Sequence, residues 1–272
     1  MFLDDSRIHI NDIELTRHTD AVNCSNGIVS VALDDMSGFQ SSGYQPEHST
    51  DSRVVRVMNV FLNLLFPQKC PFCGKPMMEL GICSNCWTKL PWIKQGIRRG
   101  PDGFQCAGAL RYEGLAREGL LRLKFYGGIS AAGPLGSLIA DCISDSSAFD
   151  IVTWVPLSSR RKRRRGYNQA ELLAFSACHI WKRSPIRLLI KHIDNPAQSG
   201  IHDVNMRLKN VTGVYQIAPY VAVQGKKILL IDDICTTGAT LDACRQVLLQ
   251  NGASEVICAA VALARPDNPE VI

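Results

Sequence analysis

The sequence lacks both an apolar run long enough to span a membrane and a recognisable secretion signal. Its longest apolar stretches, near Val60–Phe66 and Ile228–Ile231, fall far short of the roughly 20 residues that a spanning helix requires. The first thirty residues carry acidic groups throughout and contain no apolar core of the kind a signal peptide needs. We therefore expect a cytoplasmic protein that does not insert into membranes.

Several familiar catalytic patterns are also missing. There is no Gly-x4-Gly-Lys-Ser/Thr stretch, which excludes a nucleotide-binding P-loop, and no Gly-x-Gly-x2-Gly stretch, which excludes a dinucleotide fingerprint. The six histidines are scattered, and no Ser–His–Asp or Cys–His arrangement stands out. The chemistry we look for is therefore one that requires no side-chain nucleophile.

The charge of the chain is unevenly distributed. The 272 residues carry a net charge of +5, but residues 1–57 hold nine acidic against four basic groups, a balance of −5, so the remainder carries +10. A basic body favours anionic partners such as phosphorylated metabolites or nucleic acid, and charge alone does not choose between them.

The order of polar, cysteine-rich and apolar segments predicts three regions. Residues 1–57 are polar and without period, which predicts a disordered leader or, since Met58 follows, a misassigned start. We expect a helix and a cysteine module over 58–98 and an α/β domain over 99–272. Strands are predicted at Phe104–Tyr112, Asp150–Val155, Ile186–Ile190, Lys227–Ile231 and Glu255–Leu263. Helices are predicted at Leu115–Phe125, Leu135–Ile143, Tyr167–Trp181 and Leu241–Leu249. This alternation predicts a mainly parallel sheet with helices on both faces.

Four of the eleven cysteines form a tight cluster, Cys70-x2-Cys73-x9-Cys83-x2-Cys86. Each Cys-x2-Cys pair can point two thiolates at one ion, and two pairs complete a tetrahedral site for which zinc is favoured. Four protein ligands leave no open position, so such a zinc is structural. An iron–sulfur cluster and four free or redox-active thiols are the alternatives. The other cysteines are scattered singly, as in a reduced protein.

The segment Lys227-Ile-Leu-Leu-Ile-Asp-Asp-Ile-Cys-Thr-Thr-Gly-Ala-Thr240 is the most informative. A buried strand is followed by Asp232 and Asp233, and ligands of open α/β sheets bind at that edge. Two adjacent carboxylates suit ribose hydroxyls with a magnesium ion nearby. Small residues and threonines before a helix suit a monoester phosphate, which makes a substrate-binding set of Thr236, Thr237, Gly238, Ala239 and Thr240. The alternative is an ordinary strand with an acidic turn and a threonine cap.

Six consecutive cations, Arg160-Arg-Lys-Arg-Arg-Arg165, follow the strand that ends near Val155. We expect them on a glycine-flanked loop over the same sheet edge, where they would close on a pyrophosphate. Contact with nucleic-acid phosphates and a plain solvated loop are the other two interpretations.

Several motifs taken in order resemble the ComF family, which has the fold of type I phosphoribosyltransferases and is linked to DNA uptake in competence. The resemblance runs from about Phe61 to Pro266 and includes the cysteine cluster and the acidic segment. The further matching motifs are Tyr112–Gly114, Leu123–Phe125, Val155–Leu157, Arg165–Gln169, Gln198 and Arg207–Asn210. Relatives usually carry Thr-x2-Gln where this chain has Asp194-Asn-Pro-Ala-Gln198, so the role of that threonine is missing here.

The resemblance implies a site for phosphoribosyl pyrophosphate and Mg²⁺ beside a structural zinc. It implies that Asp232 and Asp233 are the catalytic pair that holds the ribose hydroxyls. Arg160, Arg165, Asn168 and Gln169 join the substrate-binding set on the pyrophosphate side. Two functions follow: pentosyl transfer or hydrolysis of the kind used in nucleotide salvage, or a non-catalytic phosphoribosyl-binding adaptor. The adaptor would touch single-stranded DNA or a helicase-like partner.

Overall fold

The computed structural model describes residues 68–77, 80–93, 96–125, 128–143, 145–193 and 213–264. The predicted leader over 1–57 and the helix predicted before Pro67 lie outside these residues. Two motif positions of the resemblance, Gln198 and Arg207–Asn210, lie outside them as well.

Nine strands and six α-helices occur among the described residues. The strands are β1 (Gln68–Lys69), β2 (Pro76–Met77), β3 (Ile97–Arg99), β4 (Gln105–Arg111), β5 (Ile151–Trp154), β6 (Leu189–Lys191), β7 (Tyr215–Ile217), β8 (Lys227–Cys235) and β9 (Glu255–Leu263). The helices are α1 (Ser84–Trp87), α2 (Gly114–Phe125), α3 (Ala132–Cys142), α4 (Ser159–Arg165), α5 (Gln169–Ile180) and α6 (Ala239–Gln250).

The central sheet has the strand order β3-β4-β9-β8-β5. Strands β4, β9, β8 and β5 are parallel, and only the edge strand β3 is antiparallel to its neighbour. Consecutive side chains of a strand point to opposite faces, and all of Ile228–Ile231 in β8 are buried, so helices cover both faces. The mainly parallel α/β fold predicted from the alternation is confirmed.

Helices α3 and α5 pack against each other as well as against the sheet, and glycine makes their close approach feasible. A Cβ atom added at Gly136 would lie 2.4 Å from the Cβ of Ser176 on the facing helix. Replacement by any larger residue would push α3 away from α5 and open the core beneath them. Helix α5 packs against β5 and β8, the two strands from which the candidate site is built, and α3 packs against β4 and β9.

The observed elements depart from the predicted ones at three places that matter for the site. Strand β8 continues four residues beyond Ile231, because Asp232 pairs with Ala260 and Cys235 with Leu263 on β9. The loop predicted for the basic stretch is wrong, since these residues form helix α4. Strand β3 was not predicted, and only Leu189 and Ile190 of the strand predicted at Ile186–Ile190 lie in an observed strand, β6.

In the part of the chain that the structure describes, no helix is both long enough and apolar enough to cross a lipid bilayer.

Candidate functional site

The four clustered cysteines converge in space. Their Sγ atoms all lie within 4.8 Å of one another, and those of Cys73 and Cys83 are 3.7 Å apart. A tetrahedral zinc with Zn–S bonds of about 2.3 Å places its sulfurs about 3.8 Å apart, so these residues fit the ion. Burial opposes ionisation of Cys70, but backbone hydrogen bonds at Cys73, Cys83 and Phe72 outweigh it and lower the pKa of Cys70 to about 7. The cluster is a structural zinc site, as the spacing predicted.

Local backbone geometry explains why the spacing works. The first pair closes a tight turn in which the Gly74 amide donates to the Cys70 carbonyl at 2.9 Å, and Gly74 takes a φ of +73°. A left-handed residue at that point is cheap only for glycine. The second pair is closed by α1, which begins directly after Cys83 and carries the buried Cys86 on its first turn.

Asp232 and Asp233, the acid pair, lie in the C-terminal half of β8, shortly before the strand ends at Cys235. Adjacent strand residues point to opposite faces, so the two carboxylates have different neighbours. Asp233 is buried and its Oδ2 lies 3.6 Å from Lys124 Nζ at the end of α2. Asp232 faces Tyr215 and Cys244, and its Oδ1 accepts a hydrogen bond from the Asp233 amide at 2.8 Å.

The Asp232 carboxyl is partly desolvated, and this determines its electrostatics. Burial, reinforced by the neighbouring Asp233 carboxylate, raises the pKa of Asp232 well above its ordinary value. Lys124 counteracts this effect by favouring the ionised form. A carboxyl in this state gains from any cation or hydroxyl donor that reaches it, because the ligand replaces the hydration lost on folding.

The segment after β8 forms a turn that leads directly into α6. Gly238 is the residue before the helix, with a φ of +85°. The Thr237 hydroxyl accepts from the Ala239 amide at 3.3 Å, and the Thr240 hydroxyl is hydrogen-bonded to the buried Tyr215. The five residues predicted to bind phosphate therefore lie together, and their backbone amides start a helix whose dipole favours an anion.

The motif Arg165–Gln169 forms the corner between α4 and α5 and ties it to the end of α2. Gly166 ends α4 with a φ of +81°. The Tyr167 hydroxyl donates to the Leu123 carbonyl, and the Gln169 side-chain amide donates to the Lys124 carbonyl at 3.3 Å. Two motifs that are 40 residues apart in sequence are thus joined at one edge of the sheet.

Asn168 and Gln169, both predicted to bind substrate, are buried and hydrogen-bonded within the protein. Asn168 caps α5 by accepting from the Ala170 amide at 3.1 Å, and its Nδ2 donates to the Val155 carbonyl at 2.9 Å. The Gln169 Oε1 accepts from Arg165 Nη1 at 3.2 Å. Both side chains hold other groups of the corner in position.

Arg165 is the cation of α4 that approaches the acid pair. It is half-buried, and its guanidinium lies 5.1 Å from the centre of the Phe125 ring. Burial lowers the pKa of Arg165, and the nearby Asp233 carboxylate opposes that shift. Its Nε is buried without a hydrogen-bond partner among the described residues. A positive group with an unused donor beside the carboxylates is a candidate contact for an anionic ligand.

The remaining cations of α4 divide by helix face. Arg161, one turn before Arg165, is half-buried and acts electrostatically on Tyr215. Arg160, which the sequence singled out, is exposed, and so are Lys162, Arg163 and Arg164. Lys124 and Arg161 are the two residues at this edge that sequence reasoning did not place in the site. A helical reading of the basic stretch would have paired Arg161 with Arg165, because residues four apart share a face.

Comparison with known proteins supports both parts of the molecule. A model of the double zinc ribbon domain matches residues 61–97, and one of the phosphoribosyl transferase domain matches residues 201–272. The chain is 29% identical to competence protein ComFC of Bacillus subtilis over 185 residues, which cover 67% of this chain and 72% of that protein. It is 33% identical to DNA utilization protein YhgH of Salmonella typhi over 107 residues, 39% of this chain and 46% of that protein.

Among solved structures, glutamine phosphoribosylpyrophosphate amidotransferase from Bacillus subtilis aligns with a TM-score of 0.35 and 19% identity. The alignment covers 52% of this chain and 30% of that one. The chain thus spans less than half the length of YhgH and of this amidotransferase.

Proposed function

We propose that this chain, which belongs to the ComF family and has a phosphoribosyltransferase fold, binds phosphoribosyl pyrophosphate with Mg²⁺ at the carboxyl edge of its sheet. One observation carries the proposal. The acid pair of β8 leads directly into the turn before α6, and Arg165, on the helix after β5, interacts electrostatically with Asp233 of that pair. The anion-binding turn, the carboxylates and the cation would thus serve the 5′-phosphate, the ribose and the pyrophosphate of the ligand, respectively.

The ribose would lie over the end of β8. Asp232 and Asp233 would accept hydrogen bonds from its 2′- and 3′-hydroxyls, and Asp232 gains most because burial penalises its unpaired charge. Oxygen ligands of this kind also suit Mg²⁺, which would neutralise charge on the pyrophosphate when it is bound. Lys124, 3.6 Å from Asp233, would hold that carboxylate in position.

The 5′-phosphate would occupy the turn from Thr236 to Thr240. A monoester phosphate carries up to two negative charges, which the first amides of α6 suit, and the Thr237 hydroxyl accepts from only the first of these amides, that of Ala239, at 3.3 Å. The left-handed Gly238 lets the backbone turn towards the ligand without a Cβ in the way. The hydroxyls of Thr236 and Thr237 would supply further donors.

The pyrophosphate would face α4. Arg165 would donate through its guanidinium, and Arg161 lies on the same face one helical turn earlier. Gln169 and Asn168 would act on the ligand only indirectly, since their polar atoms hold Arg165 and the start of α5. We keep Arg160 as a predicted contact of the ligand only if α4 moves on binding, because its side chain is exposed.

If the protein turns over, the bond between the anomeric carbon and the pyrophosphate oxygen breaks, and the electron pair leaves with pyrophosphate. A nitrogen base, an amine or water then forms the new bond to that carbon and loses a proton. The residues described above would act by positioning the ribose and by stabilising the departing charge, which are large terms in such reactions. No protein nucleophile takes part in this scheme.

The names of the relatives suggest the setting. Competence protein ComFC and DNA utilization protein YhgH point to a role in DNA uptake or DNA use, which we propose for this chain as well. It would act in the cytosol, where its scattered thiols stay reduced.

Isothermal titration with phosphoribosyl pyrophosphate and MgCl₂ tests the proposal directly. We expect the wild-type chain to bind and the Asp232→Asn, Asp233→Asn double variant to lose binding. Asp150→Asn is the matched control, because Asp150 lies at the start of β5, at the opposite edge of the sheet, where it accepts from the Lys227 amide at 2.9 Å. Absence of heat with the wild-type chain refutes the proposal. Binding without pyrophosphate release across a panel of bases and amines favours the adaptor function over transfer.

A second candidate function is contact with single-stranded DNA, supported by a different surface. Arg160, Arg163 and Arg164 are exposed, and the exposed Trp87 and Trp92 lie with ring centres 4.6 Å apart on the cysteine module. Exposed cations suit backbone phosphates, and exposed aromatic rings suit stacked bases.

Salt-dependent binding measures that contact. Each phosphate contact to a single strand contributes a slope of about −0.7 in log K against log salt. Replacing Arg160, Arg163 and Arg164 by Gln should therefore reduce the slope by about 2. A slope that is the same in wild-type and triple variant removes DNA contact by α4.

A further inference from the structure

We infer that Arg122 is a positioning residue for the phosphoribosyl site, and that it acts by locking α2 between Lys124 and the tight turn of the first cysteine pair, Cys70–Gly74, which we call the zinc knuckle. The inference rests on the proposed function, because it concerns the affinity of that same site. Helix α2 is the element that carries contacts to both centres. Its middle residues touch the knuckle, and its last turn touches the acid pair and the α4–α5 corner.

At the knuckle, the contact is close and leaves no free space. Phe72, which lies between two cysteine ligands, is fully buried against α2. A Cβ atom added at Gly119 would lie 2.6 Å from the Phe72 ring, so the ring occupies the space where a side chain would otherwise stand. Arg122 Nη1 donates to the Phe72 carbonyl and so fastens the backbone of the knuckle to the helix.

The other contact of Arg122 is too weak to explain its position. Its Nη2 lies 3.9 Å from Glu118 Oε2, one turn away on the same helix, and the Glu118 side chain is 57% exposed. Pairs of this kind on a helix surface contribute little and are screened by salt. The hydrogen bond to the knuckle is therefore the contact that fixes the Arg122 side chain.

At the site, the next two residues of the helix make the contacts that matter. The Leu123 carbonyl accepts from Tyr167, the Lys124 carbonyl accepts from Gln169, and Lys124 Nζ lies 3.6 Å from Asp233. Arg122 and Lys124 are separated by about 3 Å of helix rise and lie in the same hydrogen-bonded turn. A shift of α2 at the knuckle would therefore also displace Lys124.

The consequence is that zinc and phosphoribosyl ligand are thermodynamically linked. A closed knuckle presents the Phe72 carbonyl and ring to α2, which holds Lys124 opposite Asp233. Loss of the Arg122 hydrogen bond frees the helix, and the ligand must then restore its position at the expense of affinity. Such linkage is reciprocal, so the ligand must tighten zinc by the same factor as zinc tightens the ligand.

Titration calorimetry of three variants with phosphoribosyl pyrophosphate and MgCl₂ tests the role of Arg122. We expect Arg122→Gln to bind about tenfold more weakly than wild type, within the usual range of such couplings. Arg122→Lys retains a donor for the Phe72 carbonyl and should recover most of that loss. Arg117→Gln, which removes an exposed cation from the same helix, should bind as wild type does.

A double-mutant cycle shows whether Arg122 acts through Lys124. If it does, Arg122→Gln has no further effect in a Lys124→Gln background, whereas a general loss of structure would weaken both backgrounds equally. Equal losses in the two backgrounds overturn the inference. If the wild-type chain binds the ligand and Arg122→Gln binds it with the same affinity, the inference is overturned and the proposed function is unaffected. Absence of binding by the wild-type chain refutes the proposed function itself, and the inference with it.

A measurement on the wild-type chain needs no variant. Zinc affinity is read from competition with a coloured chelator, with and without phosphoribosyl pyrophosphate and MgCl₂, after subtracting the effect of the same mixture on the chelator–zinc complex. We expect the ligand to raise the zinc affinity by about tenfold, the factor expected of Arg122. An unchanged zinc affinity in the presence of bound ligand contradicts the linkage.

Discussion

Asn168 lies in the motif that the sequence assigns to substrate binding, yet its contacts predict a different consequence of mutation. Its Oδ1 caps α5 by accepting from the Ala170 amide, and its Nδ2 donates to the Val155 carbonyl at the end of β5. The side chain is 4% exposed. Replacement by alanine would therefore remove two buried hydrogen bonds at once and would lower the stability of the fold more than it alters any ligand contact.

The magnitude follows from the two contacts. Loss of an N-cap costs about 1 kcal/mol, and a buried carbonyl left without a donor costs about 1–2 kcal/mol more. The total of about 2–3 kcal/mol should lower the Tm by roughly 4–12 °C for a domain of this size. Asn168→Ser keeps an oxygen for the cap and loses only the donor to Val155, so it should recover about 1 kcal/mol of that loss.

Urea unfolding followed by circular dichroism measures these differences in stability. Binding of phosphoribosyl pyrophosphate to each variant is then titrated at a urea concentration well below the midpoint of its unfolding, where the variant is folded. We expect Asn168→Ala to unfold at lower urea and to bind with an affinity close to that of wild type while folded. If Asn168→Ala is as stable as wild type but no longer binds phosphoribosyl pyrophosphate, Asn168 contacts the ligand and its hydrogen bonds to Ala170 and Val155 do not stabilise the fold.

Three further predictions concern the zinc site, the acid pair and the phosphate turn. Cys83→Ser should lose the zinc and become susceptible to proteases between residues 68 and 93. A zinc chelator should have the same effect on the wild-type chain, and a wild-type chain that resists proteolysis equally well with and without the chelator would contradict this prediction. Burial raises the pKa of Asp232 in the folded protein. The contribution of this carboxyl to the free energy of unfolding is therefore fully present below its pKa in the unfolded chain, near 3.9, and is lost as the pH rises through its pKa in the folded protein. Asp232→Asn should therefore be more stable than wild type towards urea at pH 8 and equally stable near pH 4, and a variant without any gain at pH 8 would refute the burial argument. Gly225→Ala, at a φ of +70° in the turn before β8 with open space around the added Cβ, should cost about 1 kcal/mol of stability and leave ligand binding unchanged, whereas Gly238→Ala should cost more, because its Cβ would lie 2.9 Å from the buried Phe104 ring, and should weaken ligand binding as well.

The sheet was predictable because its strands are short apolar runs with helical periods between them. Strands β4, β5 and β9 and helices α2, α3, α5 and α6 lie within a few residues of the predicted bounds. The predicted strand bounds are wrong where hydrogen bonding to a neighbouring strand outweighs the strand propensity of the local sequence. Strand β8 continues through two aspartates, which are unfavourable strand residues, because β9 provides partners as far as Leu263. Strand β3 is only three residues long and exists because it pairs with β4, which no local pattern shows.

The zinc site was predictable from spacing alone, because its ligands are close in sequence and the chemistry of thiolates is specific. The edge of the sheet was predictable in part. The sequence shows the acid pair and the turn before α6 as one continuous segment, but Lys124 comes from a helix that is more than 100 residues earlier. Nothing in the local sequence places a lysine at the end of α2 opposite Asp233, since that contact depends on how the α4–α5 corner binds the Leu123 and Lys124 carbonyls.

The basic stretch shows most clearly what secondary structure adds to a motif. Read as a loop, six adjacent cations are equivalent, and the first and last of them, Arg160 and Arg165, are the natural choices for a ligand. Read as α4, they divide by angle around the helix, and Arg161 shares the face of Arg165 while Arg160 does not. Lys162 is engaged by Glu171 at 3.0 Å on another face. The proposed binding of phosphoribosyl pyrophosphate through Arg161 and Arg165 and the proposed contact with DNA through Arg163 and Arg164 would therefore use different side chains of the same stretch, and Arg160 is the cation assigned to both.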